Sequence, residues 1–183
     1  MKLSIVIPCF NESANLESLL SRCHEVGRDK DIEFIIVDNG SNDNTGEILG
    51  NLLPLYSSVK IIRLEVNRGY GFGIISALRQ ASGQILSWTH ADLQTDPMDA
   101  VIGLQLFVEY GQGIFVKGRR YGRPFSDIAF TAGMSIFETV LLRQRMWDIN
   151  AQPTMFTRVF FESWQDPPDD FSIEFQNRSR YIL

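Results

Sequence analysis

Cysteine is scarce in this chain, which has only Cys9 and Cys23 and neither a CxxC pair nor the spacing of a metal-binding cluster. This argues against a disulfide framework and makes a reducing compartment the simplest expectation. Lys and Arg form no dense run and the formal net charge is −5, which argues against a nucleic-acid partner because phosphate binding leaves a basic footprint. No apolar run approaches the ~18 residues that span a bilayer. The chain enters a strand directly, without the basic and long apolar stretches of a signal peptide, so we expect a cytoplasmic protein.

The 183 residues suffice for one domain with a sizeable core. Short β-branched, apolar segments alternate with segments of helical periodicity along the first two thirds of the chain. Buried strands are predicted at residues 3–7, 32–37, 59–64, 84–88 and 114–117. Helices are predicted at about 16–23, 44–53, 70–81, 98–110, 126–143 and 155–164. Ser13 could cap the first of these helices. The alternation predicts βαβ units and a mostly parallel sheet.

Three of the predicted strands end in polar residues. Asn11 and Glu12 follow the first strand, Asp38 and Asn39 follow the second, and the strand at 84–88 leads into His90 and Asp92. If these strands are parallel neighbours, the three ends lie along one edge of the sheet, where α/β proteins bind their ligands. Carboxylates placed there can accept hydrogen bonds from ribose hydroxyls and base N–H groups.

Asp92 and Gln94 offer a carboxylate and an amide oxygen two positions apart. Mg²⁺ prefers such oxygen ligands, with water and substrate phosphates completing its shell. The alternative is an ordinary strand-to-helix loop in which Thr95 or Asp96 caps the next helix.

Two other nucleotide or metal motifs fit less well. Gly69, Gly71 and Gly73 follow the third strand and lack the GxGxxG spacing of a dinucleotide-binding turn. Residues 38–43 lack the register and the closing Glu of a calcium loop. An oxidoreductase that uses a nucleotide cofactor is therefore kept only as a less favoured alternative.

Five ordered motifs resemble family-2 glycosyltransferases of the GT-A fold. Residues 5–12 (IVIPCFNE) resemble VIPxxNE, 37–45 (VDNGSNDNT) resemble VDDGSxDGT, 67–71 (NRGYG) resemble NxGxG, 91–97 (ADLQTDP) resemble DADLQxxP, and 117–121 (KGRRY) resemble the GSR segment. The resemblance covers roughly residues 2–175 and is closest to the dolichol-phosphate-mannose-synthase-like branch, which charges polyprenyl phosphates. It implies an α/β GT-A fold, a Rossmann-like three-layer sandwich with a mostly parallel central sheet.

The resemblance also implies a division of labour along the single domain 1–183. Residues 1–118 would form the nucleotide-sugar-binding half, and residues 119–183 an incomplete acceptor-side half, because the family's final strand and basic RxxG-type segment are absent. We therefore expect a shortened C-terminal part and reduced or lost activity.

The implied activity is metal-dependent, inverting transfer of a sugar from a nucleoside diphosphate donor. The residues implied to bind the nucleotide sugar are Pro8, Phe10, Glu12, Asp38, Asn39, Asn67, Gly69, His90, Ala91 and Arg120. Asp92 and Gln94 would bind Mg²⁺ or Mn²⁺, and Asp148 would be the catalytic carboxylate. The acceptor implied by the branch is a polyprenyl phosphate at the inner face of a membrane.

This chain departs from the family pattern at several positions. His90 replaces the first Asp of DAD; it could ligate Mn²⁺, contact the nucleotide, or be a hydrogen-bonded loop imidazole. Asn39 replaces the second Asp of VDDGS, which removes charge beside the base or ribose. Residues 150–153 (NAQP) stand where the family has a DxxSGF-type segment, whose Asp corresponds to Asp148 and whose Gly is missing here. A nucleotide-sugar-binding module without turnover is therefore the main alternative to an enzyme.

The helix expected around residues 129–142 has a wide apolar face. It could lie on a bilayer surface and meet a lipid acceptor, or pack in the core. The sugar, the nucleotide, the acceptor and the oligomeric state stay open.

Overall fold

The computed structural model describes residues 1–119, 151–170, 172–173 and 181–182. The helix predicted at 126–143 therefore lies outside the described residues, as do Arg120 and Asp148. Within the described part, no helix combines the length and the apolar character that crossing a membrane requires.

Strands and helices alternate through the first two thirds of the chain, as predicted. The strands are β1 Leu3–Cys9, β2 Ile32–Asn39, β3 Val59–Leu64, β4 Ile85–Trp88, β5 Phe115–Lys117, β6 Thr154–Thr157 and β7 Tyr181–Ile182. The helices are α1 Leu16–Gly27, α2 Thr45–Leu52, α3 Tyr70–Leu78, α4 Met98–Tyr110 and α5 Arg158–Glu162, with a short 3-10 helix at Leu53–Leu55.

These strands form one sheet in the order β3-β2-β1-β4-β6-β5-β7. The pairs β1–β2, β1–β4, β2–β3 and β5–β7 are parallel, whereas β6 runs antiparallel to both of its neighbours, β4 and β5. The expectation of a mostly parallel sheet is confirmed.

Hydrophobic residues cover both faces of this sheet. On one face, buried residues of α1, α2 and α4, such as Leu20, Leu49 and Phe107, join one core. On the other face, Ile74 of α3 and Trp88 belong to a second core, against which the aromatic residues of α5 pack. Because a helical layer lies on each side of the sheet, the architecture is the predicted three-layer sandwich.

The structure corrects three local predictions. The helix predicted at 155–164 is wrong in its first part: residues 154–157 form β6, and only 158–162 are helical. All four residues of β6 are buried, because the strand is inserted between β4 and β5, so tertiary pairing overrides a helix-compatible sequence. The cap predicted at Ser13 is also wrong, since α1 begins after Asn15. Finally, β1 continues beyond residue 7 to Cys9 and β2 beyond 37 to Asn39.

Candidate nucleotide-sugar site

The carboxyl ends of β2, β1 and β4 lie side by side; we call this the carboxyl edge. Cys9 at the end of β1 is in register with Asp38 of β2. On the other side of β1, Val6 pairs with Trp88, and its carbonyl oxygen accepts a hydrogen bond from Thr89 N at 3.0 Å. The predicted convergence of three polar strand ends on one edge is therefore confirmed.

The loops after β1 and β2 are joined to each other by hydrogen bonds. Asn11 N donates to Ser41 Oγ at 3.0 Å, and Asn42 N donates back to Asn11 Oδ1 at 2.9 Å. Glu12 N donates to Thr45 Oγ1 at 3.0 Å. The sequence analysis did not predict these hydrogen bonds between the loops, although the polar side chains that form them lie within the motifs that carry the family resemblance. One consequence is that the two loops form a single wall of the carboxyl edge.

The residues proposed from the first loop differ in exposure. Pro8 is half-buried within β1, whereas the Phe10 side chain is 42% exposed at the carboxyl edge. Glu12 is half-buried, and its Oε2 accepts a hydrogen bond from Asn15 Nδ2 at 2.7 Å. An exposed aromatic ring at this position is available to a ligand.

Asp38 is a buried carboxylate, and its two oxygens have different partners. Its Oδ1 accepts a hydrogen bond from Ser41 N at 3.0 Å. Its Oδ2 lies 3.5 Å from Arg63 Nε, and receives no hydrogen bond from a described residue. Because this ion pair is long and no hydrogen bond is formed, Asp38 Oδ2 can still accept a hydrogen bond from an N–H or O–H group of a ligand.

Asn39 links the end of β2 to the loop before α3. Its Nδ2 donates to Gly69 O at 3.0 Å and reaches Asn67 Oδ1 at 3.4 Å. Asn67 Oδ1 also accepts from Gly69 N at 2.9 Å. The Asn39 Oδ1 atom is buried and has no hydrogen-bond partner among the described residues. An amide suits this position because a carboxylate could not donate to the Gly69 carbonyl.

The glycines before and within α3 make room for another part of the same chain. A Cβ on Gly69 would lie 2.5 Å from Asp169 O, and one on Gly71 would lie 2.4 Å from Pro168 O. Phe72 N donates to Asp169 O at 2.9 Å. Gly69 was predicted as a nucleotide-sugar contact; the described structure places the backbone of residues 168–170 against it. Sequence reasoning missed this contact because the two segments lie about a hundred positions apart.

The loop after β4 carries the predicted metal ligands. His90 is half-buried, with its ring centroid 6.0 Å from that of Tyr70, and Ala91 is buried. Asp92 and Gln94 are both exposed, and Gln94 N donates to Asp92 Oδ1 at 3.0 Å. The cap considered at Thr95 or Asp96 as the alternative for this loop is wrong: α4 begins after Pro97, which has no side-chain cap hydrogen bond, although Met98 N donates to Asp96 Oδ1 at 2.8 Å.

The residues of this loop fit a hard divalent cation only as a partial ligand set. In residues 1–119 and the later described segments, no group of three or more His, Cys, Asp and Glu side chains is arranged to hold a metal. Asp92 Oδ2 receives no hydrogen bond from a described residue, so one carboxylate oxygen is available. Mg²⁺ is commonly held by one or two carboxylates with phosphates and water completing its shell, and Asp92 with Gln94 fits that arrangement.

A cavity formed by described residues lies elsewhere. Its volume is about 570 Å³, and it is formed against β3 and the 3-10 helix by residues including Pro54, Tyr56 and Ile61. None of the candidate site residues lines it. The carboxyl edge, where polar strand ends converge and Asn39 Oδ1 is buried without a described donor, is therefore a better candidate than this cavity.

A mostly parallel sheet with polar strand ends gathered at its carboxyl edge defines an α/β protein of the class that binds its ligands at that edge. Within that class the chain belongs to glycosyl transferase family 2, because the sequence model of this family matches residues 4–164.

Curated relatives agree with this family. A dolichol-phosphate mannosyltransferase from Pyrococcus furiosus is 35% identical over 121 residues, which are 66% of this chain and 34% of that protein. An undecaprenyl-phosphate 4-deoxy-4-formamido-L-arabinose transferase from Proteus mirabilis is 34% identical over 141 residues, 74% of this chain and 42% of that protein. The chain thus spans well under half the length of these relatives.

Solved structures agree with the GT-A fold. Mannosyltransferase PcManGT from Pyrobaculum calidifontis, in complex with GDP-Man and Mn²⁺, superposes with a TM-score of 0.70 at 19% identity, covering 94% of this chain and 49% of that one. Glucosyl-3-phosphoglycerate synthase from Mycobacterium tuberculosis, in complex with Mn²⁺, UDP-glucose and phosphoglyceric acid, superposes with a TM-score of 0.70 at 21% identity, covering 94% and 62%. At these identities the likeness supports the fold and nothing finer.

Proposed function

We propose that this chain acts in a glycosyltransferase that moves a sugar from a nucleoside diphosphate donor to an acceptor, with a divalent cation and with inversion at the anomeric carbon. One observation carries the proposal. At the carboxyl edge, Asn39 Oδ1 is a buried acceptor without a hydrogen-bond donor among the described residues, and Asp38 Oδ2 is a buried acceptor with only a 3.5 Å ion pair to Arg63 Nε. A nucleoside supplies what they lack, since its ribose hydroxyls and base N–H groups are donors.

The cation and the diphosphate belong at the adjoining β4 end. Asp92 and Gln94 would hold Mg²⁺ or Mn²⁺ with oxygen ligands. When bound, the cation would supply positive charge that stabilises the leaving diphosphate. His90 lies two positions before Asp92 and is half-buried, so it is available to contact a phosphate or the cation. Arg120, outside the described residues, stays the predicted partner of the donor phosphates.

The proposed reaction is a single displacement. The acceptor oxygen forms a bond to the anomeric carbon, and the bond from that carbon to the diphosphate breaks, so that the diphosphate leaves with the bonding electrons. An acceptor hydroxyl would pass its proton to a base, the role proposed for Asp148, which lies outside the described residues. A lipid phosphate is already an anion and needs no base.

The curated relatives' names motivate a polyprenyl phosphate as the acceptor. Such an acceptor would bring the chain to a membrane surface, with residues 1–118 serving the donor and residues 119–183 the acceptor. The specific lipid and sugar follow from neither the fold nor the carboxyl edge.

Calorimetric titration with UDP, GDP, dTDP and NADH, each with and without Mn²⁺, tests the donor site. We expect Mn²⁺-dependent binding of one nucleoside diphosphate, and a loss of at least about tenfold in affinity in Asp92→Ala, because a metal ligand is removed. The matched control is Asp31→Ala, an exposed aspartate that precedes β2 and so lies at the opposite edge.

Binding of NADH alone would favour the oxidoreductase alternative, and no nucleotide binding at all would contradict the proposal. Release of free sugar from the donor, or its transfer to a polyprenyl phosphate, separates an enzyme from a binding module, which would show neither.

A further inference from the structure

We propose that Arg22 of α1 is a positioning residue for the loop at residues 92–96, which carries the cation ligands of the proposed function and on which this inference therefore rests. By holding Asp96, Arg22 would keep Asp92 and Gln94 where a cation bound to a diphosphate can reach them. Arg22 belongs to none of the sequence motifs and is 74 positions from Asp96.

The contact between the Arg22 guanidinium and the Asp96 carboxylate is bidentate. Arg22 Nε lies 3.1 and 3.2 Å from the two carboxylate oxygens of Asp96, and Arg22 Nη2 donates to Asp96 Oδ2 at 2.8 Å. The other end of the guanidinium donates from Nη1 to Glu25 Oε2 at 2.6 Å. Bidentate pairing of a planar guanidinium with a carboxylate fixes direction as well as distance.

The helix segment that carries Arg22 is anchored in the core. Arg22 stands on α1 between Leu19, Leu20, Cys23 and Val26, all of which are buried in the core beneath the sheet. The Arg22 side chain itself is only 31% exposed. Its backbone position is therefore set by the core, and Asp96 is held relative to that core.

The loop has few other constraints. Ala91 and Pro97 are buried at its two ends, whereas Asp92, Leu93, Gln94 and Asp96 are exposed. Leu93 has a φ of 60°, a left-handed conformation that is unfavourable for a leucine. Apart from the helix that follows the loop, no described residue outside 91–97 other than Arg22 forms a hydrogen bond with these residues.

A cation site of this kind depends on such support. The protein contributes few ligands, and both stand on an exposed turn, so small displacements of the turn change the geometry that the cation meets. Mutation of residues that orient metal ligands by hydrogen bonding to them typically lowers metal affinity by about 10- to 100-fold. Because Arg22 acts through Asp96 rather than on a ligand directly, we expect an effect near the lower end.

The test compares Arg22→Ala, Arg22→Lys and Asp96→Asn with Glu25→Gln as the control. Glu25→Gln alters the other partner of Arg22 and leaves the Asp96 contact in place. Asp96→Asn keeps an acceptor for Met98 N but loses the charge. Two quantities are measured: amide hydrogen exchange of residues 92–95 in metal-free protein, and the affinity for Mn²⁺ in the presence of the nucleoside diphosphate that binds.

We expect Arg22→Ala and Asp96→Asn to speed exchange in the loop and to weaken Mn²⁺ binding by about tenfold, with partial rescue in Arg22→Lys and no change in Glu25→Gln. Faster exchange with unchanged Mn²⁺ affinity would overturn the inference, as would weaker affinity with unchanged exchange. Wild-type protein without Mn²⁺-dependent nucleotide binding would instead refute the proposed function, and this inference with it.

Discussion

Replacing Glu33 by glutamine should destabilise the protein in a way that disappears in acid. Glu33 lies in β2 and is 6% exposed. Its Oε1 accepts hydrogen bonds from Ser4 Oγ at 2.5 Å, from Ser82 Oγ at 2.7 Å and from Ser82 N, and its Oε2 accepts one from Lys60 Nζ at 2.7 Å. This carboxylate therefore connects β1, β2 and β3 with the turn before β4.

The magnitude follows from the pKa of Glu33. Burial by itself would raise that pKa, but the hydrogen bonds from Lys60, Ser4 and Ser82 outweigh burial and lower the pKa from 4.5 to about 2. A difference of about 2.5 units corresponds to about 3 kcal/mol of folding free energy at neutral pH. Because the Lys60 side chain is 59% exposed, water screens its share, and we expect about 2 kcal/mol.

The sign follows from the lowered pKa in the folded state. The stabilisation is fully present above the unfolded pKa of about 4.5 and is lost as the pH falls towards 2. Glu33→Gln should thus be about 2 kcal/mol less stable than wild type at pH 6, and this difference should fall below about 1 kcal/mol at pH 2.5.

Urea unfolding monitored by tryptophan fluorescence suits the measurement, because Trp88 is fully buried. The control is Glu65→Gln, since Glu65 is exposed beyond β3 and its replacement should leave the stability nearly unchanged. A difference between wild type and Glu33→Gln that is the same at pH 6 and pH 2.5 would refute the reasoning.

Four further outcomes are expected. By thermal unfolding, Gly50→Ala should stabilise the protein by about 0.5–1 kcal/mol, because Gly50 lies in α2 with open space around it. Gly71→Ala should destabilise it by about 1–3 kcal/mol, because its Cβ would meet a backbone carbonyl oxygen at 2.4 Å; a gain in both variants would contradict the described contact. Burial raises the pKa of the Cys9 and Cys23 thiols, so neither should react with a disulfide reagent at pH 8 before unfolding, and rapid labelling of native protein would argue against their burial. Asn39→Asp should cost about 1–3 kcal/mol in urea unfolding at pH 7, because it replaces a donor by a carboxylate facing acceptor oxygens; unchanged stability would show that these bonds contribute little.

Much of the fold could be predicted from local pattern. The β-branched runs predict β1 to β5, and their alternation with helices predicts parallel neighbours and a shared carboxyl edge. The candidate site residues Asp38, Asn39 and Asp92 could be found for the same reason, since each stands at or just beyond the end of a predicted strand. Local periodicity decides these features, and it is visible in any short window of the chain.

Other features depend on which distant segments meet. Residues 154–157 are compatible with a helix, and they become β6 only because β4 and β5 provide open edges for pairing. Gly69 and Gly71 resemble ligand-binding glycines, yet in the folded chain they accommodate the backbone of residues 168–170.

The sequence by itself thus determined β1 to β5, the layers and the polar carboxyl edge, because these follow from the spacing of apolar residues and the ends of strands. Only the tertiary structure decided what surrounds each polar group. Arg22 and Asp96 illustrate the reason: each is an ordinary surface residue in its own segment, and their hydrogen bonds exist because packing brings α1 beside the loop after β4. Hydrogen bonds between remote residues depend on the path of the whole chain, and no short stretch of sequence contains that information.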